Sequence, residues 1–258
     1  MERDALISFW REEERAPFQG WDFSHVHGRF SESPLPWDYL MLARELLPQA
    51  QNVLDVGTGG GERLLTLRDV WPASVTVTEG WPPNVAVAAE RLAPLGVRVV
   101  AAKQHPLPFA GNSFELVINR HTGFRSGDVA RILRPGGIFL TQQVDALWGR
   151  DLQVAMGVDV EERPSSYQLA RHYLQTETSL IVEQAAENKG TMIFTDVGAL
   201  VYYLKAIPWM VPGFSVETHL SYLWTLQEKL DRGEQLQFET RQYLIKARKP
   251  AKVLIGEE

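Results

Sequence analysis

Residues 53–61, Val-Leu-Asp-Val-Gly-Thr-Gly-Gly-Gly, constrain the fold of this chain more than any other stretch. An apolar run with one acid passes directly into Gly57, Gly59, Gly60 and Gly61. Glu62-Arg63-Leu64-Leu65-Thr66-Leu67-Arg68 then reads as a helix start, expected to continue to about Val70. Strand, glycine turn and helix together place a ligand on a helix N-terminus, where unpaired N–H groups and the helix dipole point outward. Glycine lets the backbone approach closely and take positive φ. A turn without a ligand would carry these glycines at the expense of helix entry and with no packing gain. A dinucleotide fingerprint, G-x-G-x-x-G, needs a third glycine where Glu62 stands. The spacing here is Asp55-x-Gly57-x-Gly59-x-Gly61. A pyrophosphate favours N–H donors without an acid nearby, whereas a ligand carrying an ammonium group gains from an acid at the strand end.

Alternating strand and helix patterns surround this turn. Leu40, Ala43, Leu46 and Leu47 have helical spacing and predict a helix over 36–47, started by Pro36. Residues 75–79 read as a β-branched strand ending in Glu79. An acid about 20 residues past the turn is placed to accept hydrogen bonds from ribose hydroxyls. Residues 84–92 read as an Asn-capped helix and 97–101 as a strand. Leu116 to Ile118 is a buried strand running into Asn119-Arg120-His121, and Pro135-Gly136-Gly137 is a tight turn before a further strand. Beyond residue 144, helices are expected over 145–157, 165–175 and 216–231, and Asp196 is placed to cap one ending near 204. Strands are expected at 180–183 and 191–194 around a turn at 188–190, and a last strand at 238–247.

Four blocks in order carry a family resemblance: the glycine turn, Leu107-Pro108-Phe109, Ser113-Phe114-Glu115-Leu116-Val117, and Leu133-Arg134-Pro135-Gly136-Gly137. Over about residues 36–144 the chain resembles the class I S-adenosylmethionine-dependent methyltransferases, and it looks like their type 11 or UbiE-like branch. The resemblance implies a single α/β domain. Its Rossmann-like, seven-stranded, mostly parallel sheet would have helices on both faces and an antiparallel last strand. Residues 1–35 would form an N-terminal cap or lid, 36–144 the cofactor-binding core, and 145–235 added elements over the C-terminal edge of the sheet, on the substrate side. Residues 236–258 would be the final strand and tail. The implied cofactor is S-adenosyl-L-methionine, giving S-adenosyl-L-homocysteine as product. Its implied contacts are Asp55, Gly57, Thr58, Gly59, Gly61, Glu79, Gly80, Gln104, His105 and Asn119. Where the family usually has an acid for the adenine amino group, this chain has Lys103, which cannot accept that hydrogen bond. Gln104 could, through its side-chain oxygen.

In-line methyl transfer needs alignment and exclusion of water, with a general base only for a poor nucleophile. His121, directly after its strand, is the expected base. Arg120 and Arg125 could bind an acidic acceptor, and Tyr202, Tyr203 and Trp209 stay unassigned between core and pocket. The 258 residues carry a net charge of −6 and no cysteine. The acidic balance argues against a nucleic-acid surface, and the missing thiols exclude disulfides and thiol catalysis. A small-molecule acceptor is therefore expected, with RNA or protein methylation, or cofactor binding without transfer, as alternatives. No metal site is expected: His25 and His27 lack a third ligand nearby. Nothing reads as a signal peptide or membrane span, which predicts a cytoplasmic protein. The aromatic loop Phe18, Trp21, Phe23 is expected to cap the core or close over the cleft.

Overall fold

A computed structural model describes residues 2–18, 22–103 and 105–251. Among the described residues the helices are α1 Arg3–Arg15, α2 Tyr39–Leu46, α3 Glu62–Leu65, α4 Pro82–Leu92, α5 Ser126–Ile132, α6 Arg150–Ala155, α7 Ser166–Thr176, α8 Val197–Ala206 and α9 Leu220–Asp231. The strands are β1 Phe30–Glu32, β2 Asn52–Val56, β3 Ser74–Glu79, β4 Arg98–Ala101, β5 Phe114–Arg120, β6 Leu133–Val144, β7 Ile181–Phe194 and β8 Leu236–Arg248. They form one mixed sheet in the order β1-β7-β8-β6-β5-β2-β3-β4. β2, β3, β4, β5 and β6 pair in parallel, and β8 pairs antiparallel to β6, from Ile138↔Arg248 to Val144↔Gln242. The Rossmann-like α/β reading holds, with β1 as an eighth strand antiparallel to β7.

The chain divides into two compact units. One comprises residues 36–146, 164–187 and 242–258. Its sheet shows period-two burial on both faces. Val53, Val75, Val77, Leu116 and Ile118 pack with Ala43, Leu64, Ala88 and Leu92 from α2, α3 and α4. Leu54, Val56, Val117, Phe139 and Ile245 pack on the opposite face with Val129, Ala170 and Leu174 from α5 and α7. Each fully buried aliphatic side chain contributes about 1.5–3 kcal/mol. The other unit comprises residues 1–35, 147–163 and 188–241. Trp10, Phe194, Leu200, Tyr202, Tyr203 and Leu223 are buried in its core. Tyr202 and Tyr203 are thus core residues. Phe18 and Phe23 stack together at 5.2 Å, with Phe23 5.5 Å from Tyr203. Trp21 lies outside the described residues. In the same unit Glu13, only 6% exposed, is bonded by Arg29 at 2.7 Å, and Arg29 also bonds Asp196. Asp196 caps α8 by accepting from Ala199 N, as the sequence predicts.

Several local expectations are corrected. α2 starts at Tyr39, because the Asp38 carboxylate accepts from Leu40 N and Met41 N. α4 starts at Pro82, so Asn84 lies inside it. Pro135-Gly136-Gly137 lies within β6, and residues 188–190 within a continuous β7. The helix expected to reach Val70 is a single turn. The Thr66 hydroxyl donates to Arg63 O at 2.7 Å and the Trp71 indole to Leu64 O at 3.1 Å, taking carbonyls that further helix would need.

Candidate active site

The strand register brings the glycine turn together with the ends of β3 and β5. Val56 pairs with Thr78 on one side and Asn119 on the other, so the chain leaves all three strands at one edge. Asp55 is buried one residue before the end of β2. Burial raises its carboxyl to a pKa of about 6, opposed by the Thr58 hydroxyl and reinforced by Glu79. Among the described residues no cation pairs with it.

The turn is anchored on β3. Gly57 N and Thr58 N both donate to Thr78 O at 3.0 Å. Gly59 N donates to Glu79 Oε2 at 2.8 Å, and Glu79 Oε1 accepts from Gly80 N and Trp81 N at 2.8 and 2.9 Å. Gly57 and Gly59 have φ of +73° and +64°, in the left-handed region that disfavours a side chain. Their surroundings differ. A Cβ on Gly57 would stand 2.2 Å from Thr122 Oγ1, whereas one on Gly59 would meet nothing within 4 Å. Gly57 is glycine because the next loop packs on it; Gly59 faces open space. Gly61 is the residue before α3. Because α3 is one turn, its dipole is weak, and the N–H groups of Gly57, Thr58, Gly59 and Gly61 are bonded within the protein, which corrects the expectation of unpaired donors pointing outward from this turn.

Asn119 is fully buried and faces inward. Its Nδ2 donates to Val56 O at 3.1 Å, and its Oδ1 accepts from Thr141 Oγ1 at 2.9 Å and from Gln143 Nε2. Gln143 also donates to Thr122 O at 3.0 Å. This network fixes both sides of the Gly57–Thr122 contact from below. Period and spacing gave no sign of Thr122, Thr141 or Gln143; only the polar character of Thr141 and Gln143 within β6 set those two apart.

His121 has φ +55° and donates its N–H to Gln142 O. Gln142 Oε1 accepts from Trp37 Nε1, so its Nε2 is the donor toward His121 Nε2 at 3.3 Å and Gln242 Oε1 at 3.3 Å. The residue keeps a solvent-exposed face. Desolvation first, then Arg120 and Arg63, still pull its pKa down to about 4. The ring is therefore neutral at pH 7, a weak base whose Nε2 is already engaged.

Beside Glu79 lies an open cleft of about 260 Å³, lined by Glu79, Gly80, Pro82, Val85, Ala101, Ala102 and Lys103. Its apolar walls were not foreseen from the sequence, although Lys103 was. His105 turns toward α5, with Nδ1 3.4 Å from Asp128 Oδ2. Gln104 lies outside the described residues. Among the described residues, no three His, Cys, Asp or Glu side chains converge as a metal site, and no helix is long and apolar enough to cross a membrane.

Residues 53–137 match a family model described as a methyltransferase domain. No curated protein matches the sequence. Among solved structures, a proposed methyltransferase of Bacillus halodurans C-125 is similar at 20% identity and TM-score 0.54, over 82% of this chain and 97% of that one. The YcgJ protein of Bacillus subtilis is similar at 17% identity and TM-score 0.55, over 82% and 98%. A functionally unknown protein of Deinococcus radiodurans R1 shows 13% identity and TM-score 0.55, over 88% and 96%. These similarities are of fold. The family match falls on the segment that builds the glycine turn, the Glu79 strand end and the Asn119 support. Residues 53–137 are thus similar to a methyltransferase domain, set in a Rossmann-like fold shared with these structures.

Proposed function

We propose that this enzyme methylates a small-molecule acceptor, holding S-adenosylmethionine along the edge formed by the ends of β2, β3 and β5. The carrying observation is the pairing of a buried, cation-free carboxylate at Asp55 with a turn whose Gly59 position opens into free space. An ammonium group fits that acid, and the main chain at Gly59 leaves room for the methionyl tail. Glu79 would take the ribose and the cleft lined by Pro82, Val85 and Ala101 the adenine. The Glu79 carboxylate already accepts three N–H groups, out of about four lone-pair sites. Accepting both ribose hydroxyls therefore requires release of one of these three bonds, and the Gly59 bond is the one from the turn.

The bound cofactor supplies a methyl group already activated by the sulfonium charge. The chain's task is alignment and exclusion of water. Asn119, Thr141 and Gln143 hold the turn rigid. His121 is assigned to positioning in preference to a general base, since its Nε2 accepts from Gln142 and its pKa is far below neutrality. The net charge of −6 supports a small acceptor over a nucleic acid.

Calorimetric titration with S-adenosylmethionine, S-adenosylhomocysteine and NAD tests the cofactor assignment: adenosyl ligands bind and NAD does not. Absence of S-adenosylhomocysteine binding would sink it. Incubation with methyl-labelled S-adenosylmethionine and separate small-molecule, RNA and protein fractions tests the acceptor class. Label in RNA or protein would replace the small-molecule reading.

A further inference from the structure

Arg120 ends β5 at the edge that carries the glycine turn. It is half-buried. Among the described residues, every other half-buried arginine is satisfied: Arg29, Arg44, Arg134, Arg241 and Arg248 hydrogen-bond carboxylates, and Arg150 bonds two carbonyls. Arg120 has no such bond. Burial first, and then the field of a second cation, Arg63 on α3, lower the pKa of Arg120, and Arg63 lowers that of His121 as well. Arg63 is also without an ion pair, because the adjacent Glu62 is taken by Arg91. Tyr39, whose phenol is buried beside Asp55 and Arg120, supplies no charge at neutral pH.

A half-buried guanidinium with no carboxylate partner, in the field of an exposed second one, costs free energy that a structural role would not explain. The fork geometry of arginine suits an oxyanion. We propose that Arg120 and Arg63 together bind the anionic group, carboxylate or phosphate, of the methyl acceptor. This rests on the cofactor reading above, because Arg120 ends β5 and Arg63 stands at the start of α3, at the edge where that reading places the methyl donor. It narrows the substrate to an acidic small molecule. A second source of an anion at this edge is the cofactor's own methionyl carboxylate, and the test separates the two.

Inorganic phosphate and acetate are titrated by calorimetry into the full chain saturated with S-adenosylhomocysteine, so that the cofactor carboxylate is already in place. The expected result is binding of at least one anion, weakened about tenfold or more by Arg120→Met and by Arg63→Met. Arg98→Met, which removes the same charge from β4, leaves it unchanged. Affinity for S-adenosylhomocysteine stays within about twofold in all three variants. Arg120→Met melts no lower than the wild type, since it removes an unpaired charge. Three results would overturn the proposal: no anion binding to the loaded protein, equal weakening by Arg98→Met, or a tenfold loss of S-adenosylhomocysteine affinity in the Arg120 or Arg63 variant. The last would assign the pair to the cofactor's carboxylate. If the wild type binds no S-adenosylhomocysteine, the cofactor reading itself fails; the anion titration on the unloaded protein still reads the arginine pair.

Discussion

Gly57 and Gly59 have almost the same backbone conformation and opposite surroundings, which allows backbone strain to be separated from ligand contact. An alanine at either site must hold a left-handed φ, at a cost of about 1–2 kcal/mol. At Gly59 nothing else is touched, so Gly59→Ala should lose about that much stability. At Gly57 the new methyl would overlap Thr122 Oγ1, Cγ2 and Cβ at 2.2–2.6 Å. Thr122 is held in place through the Gln143 bond to its carbonyl, so relief requires moving the supported loop. Overpacking of this kind adds about 1–3 kcal/mol. Gly57→Ala should therefore lose about 2–5 kcal/mol, and Gly57→Ala with Thr122→Gly should recover the steric share and retain the strain. Urea unfolding followed by circular dichroism gives the stabilities, and calorimetry gives S-adenosylhomocysteine affinity. Gly59→Ala should remain folded and lose at least tenfold in affinity, because its methyl occupies the space left for the ligand. The reasoning is refuted if Gly59→Ala binds normally, or if the two single variants lose equal stability.

Other perturbations test other parts of the site. Asp55, at about pH 6 in the fold against about 3.9 unfolded, binds more protons folded than unfolded in that interval. It therefore makes stability fall by about 2 kcal/mol as pH rises from 4 to 6.5; subtracting the profile of Asp55→Asn should isolate this slope, and a zero difference would contradict it. Affinity for S-adenosylhomocysteine should rise through pH 6 as Asp55 ionises, and Asp55→Asn should abolish that dependence in calorimetry across pH 5–7.5. Asn119→Ala removes the partner of Val56 O and of the Thr141 hydroxyl hydrogen and should cost about 2–4 kcal/mol by urea unfolding. Arg29→Gln leaves the buried Glu13 carboxylate with His25 as its remaining partner and should lower stability by about 1–3 kcal/mol, with S-adenosylhomocysteine affinity unchanged.

The sequence was most readable where side-chain type and backbone geometry impose the same answer. Asp55, the glycine turn and Glu79 sit where strand ends must meet in a parallel sheet, and their spacing alone placed them. Asp196 was likewise readable as a cap, because a carboxylate before an apolar run has one common use. The length of α3 was not readable. It depends on which carbonyls Thr66 and Trp71 claim, a competition without a periodic signature. Asn119 looked like a ligand contact because it stands at the strand end; only the register with Thr141 shows that its amide is consumed internally. The solitude of Arg120 was equally hidden, since an unpaired charge is defined by every residue that fails to reach it.

The Gly59–Glu79 hydrogen bond gives the turn a stand-in for its own ligand. If Glu79 takes the ribose as proposed, the Gly59 N–H holds the carboxylate position that a ribose hydroxyl would claim. Each binding event then exchanges one hydrogen bond for another, and the net gain shrinks by about 0.5–1.5 kcal/mol, or up to roughly tenfold in dissociation constant. For an enzyme that must shed a product nearly identical to its cofactor, such a built-in competitor favours turnover over retention.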